Sequence, residues 1–485
     1  MKTRIQMMLA LGLLSLQVWA ADAPPAGGTA ATAQPPPSAG LLNDWLREQA
    51  PAWEQVDLGG QLRIREQARE NAGAFPNEDF IRNTGTKSKS DAYLLLRETG
   101  HIGYTPVSWL TFFAEGRNST ASNDGRAPDP DLDRFDLHQG YVQLGDLKEY
   151  PLQLKVGRQE QKYGDQRWIG VSDWSNVGRM FDAAKVRFGK DLTWVDAFVS
   201  HPVYVDDDHF DRWNQHEYFS GLYASSKELV PWQETQLYLL SYNVGAGSPS
   251  IVVPTATGPS ARDVYTLGTL CKSLPGALNG WDYSAELAMQ MGSLTTNATQ
   301  GDRLDLKAYG AFLRAGYTCE QVWGKPRLGL GFDYGSGDDN AKDGKVGTLQ
   351  NMFGSSHGIE GLMDLFGMRN MEIPRVAASL EPAKNLKLTA DYLLFWLADT
   401  NDSLYSNPGS VRNQNGYGIH PGNSAYVGSE LDLVANYSAC AWLNLQLGYG
   451  HFFVGDYIKE SIATVPANGG TVDSDWVYAQ ATVNF

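Results

Sequence analysis

The residues with the clearest chemical role in this sequence are basic side chains on the polar faces of segments that alternate in polarity. Three consecutive segments carry Arg63 and Arg65, then Arg97, then Arg117 on that face. Facing side chains on paired strands lie about 5 Å apart, so these four can form one patch. In a narrow, partly desolvated space they attract carboxylates more strongly than in bulk water. The sequence therefore predicts a partly cationic path that consists of Arg63, Arg65, Arg97, Arg117, Lys155, Arg158, Lys185, Arg187, Arg314, Arg327 and Arg375.

Arg158 is the member of this set that does not follow the parity of its segment. It lies in the sequence Gly157-Arg158-Gln159, where a β-bulge would add one residue and shift the alternation. We expect such a bulge to turn the Arg158 side chain inward.

Acidic residues share the polar face with the basic ones. The basic residues cluster in the first six segments, whereas the acids are commoner in the later ones. Two interpretations stay open. The charges pair across the interior and only hydrate it, or one side keeps a cationic surplus that attracts a polyanion. The acids concerned are Glu115, Asp196, Glu286, Asp333, Asp391, Glu430 and Asp432.

Catalytic and metal-binding motifs are absent from the sequence. It contains no H-E-x-x-H or C-x-x-C, no serine or histidine that we place in a nucleophile elbow, and three cysteines without metal-ligand spacing. We therefore expect no enzyme activity, cofactor or metal, although a spatial set of Ser/His or carboxylate/His residues stays open. The acidic runs at 129–133 and 206–208 are typical of solvated loops, with a divalent-cation contact as the alternative.

A period of two dominates the chain after residue 56. In the stretch 280–292, Trp281, Leu287 and Met291 fall on one face, whereas Glu286 and Gln290 fall on the other. Such stretches run to about a dozen residues, which is the reach of a tilted strand across a bilayer. Soluble strands are usually about 5–6 residues long. The pattern predicts membrane-spanning strands with one face toward lipid.

We identify eighteen such segments, and the connections between them alternate between long and short without exception. This rhythm predicts an all-β, 18-stranded antiparallel transmembrane β-barrel with short periplasmic turns, long extracellular loops and both termini in the periplasm. The segments are 57–67, 91–104, 108–117, 134–145, 151–160, 181–189, 191–201, 216–226, 233–244, 261–273, 280–292, 303–318, 325–336, 368–382, 385–398, 426–438, 441–454 and 474–485.

The two ends of the chain indicate export to the outer membrane. Residues 1–20 have the basic start, apolar run and small-residue end of a signal peptide. Residues 21–55 predict a disordered Pro/Ala linker and a short periplasmic helix, and 56–485 the barrel. The terminal Phe485 on an alternating strand resembles the signal that the barrel-assembly machinery recognises. The net charge of −16 argues against a nucleic-acid partner. The predicted barrel would be surrounded by outer-membrane lipid.

Three stretches resemble the alginate-export family of outer-membrane channels. They are LKVGRQEQKYGDQRWIG (154–170), the stretch 332–370 that ends in IEGLMDLFGMRN, and VGSELDLVANYSACAWLNLQLGYGHFFVGDYI (427–458). The resemblance implies a monomeric pore of eighteen strands over about residues 56–485. It also implies that an anionic exopolysaccharide, such as alginate, leaves the cell past arginines and lysines that face its uronate carboxylates. A periplasmic export partner is compatible with this function, and the alternative is a general or anion-preferring small-solute porin.

Overall fold

Eighteen antiparallel strands close into a barrel in the computed structural model, which describes residues 41–72, 78–83, 90–126, 130–248, 260–295 and 303–485. Each strand pairs with the next, and the last pairs with the first. The predicted fold class is therefore confirmed. The strands are β1 (Val56–Glu70), β2 (Ser90–Val107), β3 (Leu110–Ser122), β4 (Asp133–Leu144), β5 (Leu152–Gln159), β6 (Phe181–Lys190), β7 (Thr193–Tyr204), β8 (Glu217–Val230), β9 (Gln233–Val244), β10 (Arg262–Ser273), β11 (Trp281–Thr295), β12 (Arg303–Thr318), β13 (Arg327–Gly335), β14 (Met371–Ala383), β15 (Leu386–Leu397), β16 (Tyr426–Cys440), β17 (Leu443–Val454) and β18 (Ser474–Asn484).

The barrel closes where β18 meets β1, in a register that pairs Gln61 with Asn484 and Glu70 with Asp475. Beyond the last strand, Gly60 and Phe485 exchange two backbone hydrogen bonds of 2.9 and 3.0 Å. A Cβ atom at position 60 would lie 2.7 Å from the Phe485 ring, so only glycine admits the ring there. The carboxyl-terminal residue thus completes the seam of the barrel.

Side chains alternate between the outside and the interior, as the sequence predicts. On β11, Leu287 and Met291 are exposed, whereas Glu286 and Gln290 are buried. The outer face is apolar and the interior carries the polar residues, which is the arrangement that a bilayer requires. Exposed tryptophans at the short-turn end form part of an aromatic girdle that consists of Trp109, Trp232, Trp281, Trp323 and Trp442.

The connections follow the predicted rhythm with one exception. Those after odd-numbered strands are mostly long, such as 336–370 and 398–425, and those after even-numbered strands are short. The connection after β11 spans only 296–302, no longer than the turn 319–326 at the opposite end. The predicted alternation without exception is therefore wrong at this position. Strands β11 and β12 still pair with each other, although no long loop connects them.

Short elements accompany the barrel. Helix α1 (Leu41–Gln49) and a 3-10 turn (Pro51–Gln55) precede β1, and helix α2 (Asp456–Ala463) and a 3-10 turn (Pro466–Asn468) precede β18. Two-residue strands at Arg212–Trp213 and Lys345–Val346 pair with β7 and β12. Across the described residues, no helix has the length and apolar character needed to cross a bilayer. The predicted signal peptide (1–20) and residues 21–40 of the predicted linker lie outside the described residues.

Candidate functional site: the charged interior of the barrel

Two loops fold into the barrel and occupy much of its interior. They are residues 160–180, after β5, and residues 336–370, after β13. Their apolar residues are buried with inward-facing strand residues. Trp168 and Phe353 pack with Phe219 of β8, and Phe366 packs with Phe452 of β17. The loops are therefore part of the core and define the shape of the remaining space.

We name Arg63, Arg65, Arg97 and Arg117 on β1–β3 the basic wall. All four are buried, with 1–6% exposure, whereas the intervening Ile64 is 43% exposed. Their side chains therefore face the interior, as the sequence predicts, and the structure brings all four together.

The loop segment 173–177 lies directly against the basic wall. Arg63 donates hydrogen bonds to the backbone oxygens of Asp173 (2.5 Å) and Ser175 (3.1 Å), and Arg97 donates to that of Asp173 (3.1 Å). Arg117 donates to the backbone oxygen of Val177 at 3.1 Å. Most of these acceptors are neutral carbonyl groups. They satisfy the guanidinium donors without cancelling their charge.

Three carboxylates lie along the basic wall, fewer than its four arginines. Arg117 contacts Glu115 and Glu160 at 3.6 and 3.8 Å. Arg97 and Arg63 share the Asp173 carboxylate, at 2.9 and 4.0 Å. The Asp173 side chain is open to the interior space, but the surrounding barrel partly desolvates it and opposes ionisation. Arg97, Arg63 and Arg117 nevertheless hold the pKa of its carboxylate below the ordinary value. Arg65 forms no ion pair among the described residues, and its guanidinium stacks 3.6 Å from the Trp174 ring. The basic wall therefore keeps a positive surplus.

The two inward loops meet at Trp174 and His357. Their rings stack with centroids 3.7 Å apart, and His357 also contacts the Asp364 carboxylate at 2.9 Å. A cavity of about 940 Å³ adjoins this contact and is lined in part by Arg63 and Arg69. The basic wall therefore borders an internal space that the loops have narrowed.

On the opposite side, each predicted arginine contacts an acid. We name these four ion pairs the paired wall. Arg187 bonds Asp196 at 2.6 Å, Arg314 bonds Asp333 at 2.5 Å, Arg327 bonds Asp282 at 2.6 Å, and Arg375 bonds Asp391. Of the two interpretations that the sequence left open, charge pairing holds for these four arginines and a surplus holds for β1–β3.

Lys155 and Lys185 lie between the two walls. The Lys155 ammonium group lies 3.5 Å from the centroid of the Tyr141 ring, and that of Lys185 lies 5.7 Å from Tyr163. Neither lysine forms an ion pair within the part of the chain that is described. They extend the positive surplus from the basic wall onto β5 and β6.

Arg158 is placed apart from the other predicted residues. The β4–β5–β6 ladder keeps its register through this position, with Arg158 opposite Gly140 and Asp182. The predicted bulge is therefore absent, and Arg158 remains on the parity of the exposed Val156. It pairs with Asp182 at 2.9 Å and donates to the backbone oxygen of Asp211 at 2.9 Å. A polar partner on the neighbouring strand accommodates the charge without a change of face.

Several interior residues were missed by reasoning from the sequence, among them Asp173, Trp174, His357 and Arg167. All lie in the two loops, which the alternation of the strands does not reach. Arg167 contacts Glu286 and Asp333 at 3.6 and 3.5 Å. The only signal was that two of the family-like stretches, 154–170 and 332–370, cover these loops.

Comparisons with known proteins agree with this geometry. The family model described as "Alginate export" matches residues 54–468. OccAB1 of Acinetobacter baumannii is a similar solved structure, with 10% identity over 89% of this chain and 97% of that chain and a TM-score of 0.56. OpdK of Pseudomonas aeruginosa, solved with vanillate, has 13% identity over 88% and 98% and a TM-score of 0.52. No curated protein matches the sequence.

The likeness to the solved structures extends to the fold alone, whereas the family model covers most of the chain. A closed barrel with an apolar outer face, a polar interior and this match is an integral outer-membrane channel and not an enzyme. The chain belongs to the alginate-export family.

Proposed function

We propose that this channel passes an anionic polysaccharide, alginate or a similar polyuronate, along the basic wall. The observation that carries the proposal is the positive surplus of Arg63, Arg65 and Arg97 around the single carboxylate of Asp173. Lys155 and Lys185 continue this surplus along the next strands. A polyanion gains from several such charges at once, because each further contact is made by a chain already held.

Asp173 supports the proposal because its side chain carries a carboxylate, the same group that the uronate units of the cargo carry. Its carboxylate is held between Arg97 and Arg63, and backbone oxygens of its loop accept hydrogen bonds from Arg63. A uronate carboxylate carries the same charge and the same two oxygens. Cargo would therefore replace Asp173 as the loop segment 173–177 leaves the basic wall. The loop then acts as an internal competitor that the polymer displaces.

The experiment is block of single-channel current in planar bilayers by a polyuronate and by a monomeric uronate. The native channel should be blocked by the polymer at about tenfold lower sugar concentration than by the monomer, because the polymer contacts several guanidinium groups. The variant R63Q/R97Q should lose most of this difference. The control K190Q/K325Q removes the same charge from exposed lysines at the short-turn end and should behave as the native channel does. Equal block by polymer and monomer would contradict the proposal.

A small-solute porin is the second candidate, and the narrowed interior favours it. The stacked rings of Trp174 and His357 adjoin a cavity of about 940 Å³ inside the barrel. Ligand sites for small molecules commonly have volumes of about 300–1,000 Å³. A protein of similar fold, OpdK, was solved with vanillate, which is a small carboxylate. Permeation of monomeric anions without any block by the polymer would favour this candidate.

We further propose that residues 1–20 are removed on export and that the short turns face the periplasm. The cationic start and apolar run of residues 1–20 support the first part. The long loops of outer-membrane barrels lie outside the cell, which supports the second. Mass spectrometry of the mature protein should find an amino terminus at Ala21. A tag in the connection 398–425 should be labelled on intact cells, and a tag in the turn 384–385 should not.

A further inference from the structure

Three aspartates meet at the long-loop end of β4, where Asp136 lies opposite Arg117 of the basic wall. Asp133 and Asp136 belong to β4, and Asp211 belongs to the connection 205–216 after β7. Each offers a carboxylate oxygen, and these oxygens lie within 4.8 Å of one another. All three residues are buried, with 3%, 6% and 1% exposure. Three like charges at this distance repel one another unless something positive lies between them.

A local irregularity of the ladder brings the two strand residues together. On β3, Arg117 pairs with Asp136 and Ser119 pairs with Asp133, so β4 has one extra residue here. Residues three apart on a regular strand point to opposite faces, whereas the extra residue of a bulge lets both approach the same point. The backbone N–H of Asp211 then donates to the Asp136 carboxylate at 2.5 Å, which holds the connection 205–216 against the strand.

The charge of this cluster is not neutralised by a direct ion pair. None of the three aspartates takes part in an ion pair among the described residues. Arg117 and Arg158 lie close enough to act on Asp133 and Asp211, but their ion pairs are with other acids. Arg117 contacts Glu115 and Glu160, and Arg158 contacts Asp182. Buried charges in proteins are usually paired or coordinate a metal.

Two carboxylate oxygens of the cluster also lack hydrogen bonds. Oδ1 of Asp133 and Oδ2 of Asp211 are buried without any partner. An ionised carboxylate only accepts hydrogen bonds, and leaving a buried oxygen unsatisfied is unfavourable. These oxygens therefore have coordination capacity that the protein itself does not use. This is the second observation, independent of the clustering, that points to a bound cation.

We propose that Asp133, Asp136 and Asp211 bind a divalent cation, calcium by preference, that fastens the connection 205–216 to the end of β4. Carboxylate oxygens are hard ligands, and calcium accepts six to eight oxygens in flexible geometry, so backbone oxygens and water can complete the shell. Magnesium demands a near-ideal octahedron and loses its water reluctantly. A cluster drawn from two separate segments suits the larger ion. The site is structural, because its ligands join a strand of the barrel to a connection between strands.

The test uses the full-length barrel in detergent, titrated calorimetrically with calcium after treatment with chelator. The native protein should bind calcium saturably at one site, and D211N should weaken the affinity at least about tenfold, since affinity depends on the number of ligand charges. The control D208N removes the same charge from an exposed aspartate three residues away and should leave the affinity unchanged. Absence of saturable binding to the native barrel, or equal loss in D208N and D211N, would overturn the proposal.

A second variant keeps the test decisive if D211N fails to assemble. In chelator, D133N should lose its fast-migrating folded form on gels at a higher temperature than the native barrel, because one of three repelling charges is gone. In calcium the order should reverse, because the native barrel alone keeps all three ligands. The same order in both conditions would show that the cluster binds no cation.

Discussion

The basic wall and the paired wall contain the same residue type on the same face of one barrel, yet they differ in what surrounds the arginines. On the paired wall each of the four guanidinium groups contacts a carboxylate, as in Arg314 with Asp333. On β1–β3 the guanidinium groups of Arg63 and Arg97 mainly contact backbone carbonyls of an inward loop. Carbonyls satisfy hydrogen bonds but leave the charge in place. The first arrangement stabilises the barrel, and the second leaves a field that acts on passing anions.

The paired wall should carry the larger stability effect. Asp333 is 1% exposed and contacts both Arg314 and Arg167. D333N leaves two guanidinium groups without their acid, and we expect a loss of about 3 kcal/mol or more in the free energy of unfolding. Unfolding in urea, followed by tryptophan fluorescence in detergent, measures it. The control D282N removes a partly exposed acid and should cost less than about 1 kcal/mol. Equal losses in the two variants would remove the distinction between buried and exposed pairs.

Trp174 should decide how firmly the loop covers the basic wall. It stacks on Arg65 and on His357, so W174A removes both contacts. We expect the loop seat to weaken by about 1–2 kcal/mol and the single-channel conductance to rise. The control W213A truncates an exposed tryptophan at the rim and should leave the conductance unchanged. A conductance of W174A equal to that of the native channel would show that the loop is held by its backbone contacts alone.

The packing of the loop 336–370 inside the barrel should depend on pH. Burial, with help from Asp333 and Asp364 and against Arg167, raises the pKa of Glu360 in the loop 336–370 from its ordinary 4.5 to about 8. The contribution of protonated Glu360 to the stability of this packing is therefore fully present below about pH 4.5. It is lost as the pH rises to about 8. Conductance should increase between pH 5 and pH 9, and E360Q should abolish the increase. The control E381Q, which changes an exposed residue near the end of β14, should retain it. A native conductance that is the same at both pH values would contradict this assignment.

The smallest expected effect is a gain in anion preference when the carboxylate beside the basic wall is removed. D173N removes the one carboxylate that Arg63 and Arg97 share, while its backbone oxygen remains available to both. We expect a modest increase in anion preference and tighter block by polyuronate, with little change in stability, since the Asp173 side chain is 69% exposed. Weaker block in D173N would mean that this carboxylate organises the site rather than competing with the cargo.

The barrel could be predicted from the sequence because the pattern of period two is local and is repeated eighteen times. The alternation of apolar and polar neighbours alone is enough to predict that Leu287 faces outward and Glu286 faces inward. The family-like stretches added the family itself, and the match over 54–468 confirms it. The failures were also local. The connection 296–302 is short without breaking the topology, and Arg158 finds its partner on the neighbouring strand without a bulge.

The division into two walls could not be predicted, because it depends on contacts between residues far apart in the chain. Nothing near Arg63 in the sequence indicates that residues 173–176 will lie against it. Likewise, the pairing of Arg314 with Asp333 follows from strand register and rotamer, whereas alternation gives only the face. Charge counts on a face predict a charged interior. Which charges remain uncompensated is decided by loops whose fold has no repeating pattern.

The most direct test of the account is the zero-current potential of single channels under a potassium chloride gradient. R63Q/R97Q neutralises two arginines of the basic wall, and R187Q/D196N neutralises one complete pair of the paired wall, so each variant changes two charged side chains into amides. We predict an anion-preferring native channel, a clear shift toward cations in R63Q/R97Q, and a native potential in R187Q/D196N despite lower stability. Equal shifts in the two variants, or no shift in R63Q/R97Q, would contradict the claim that the uncompensated arginines of the basic wall set the selectivity.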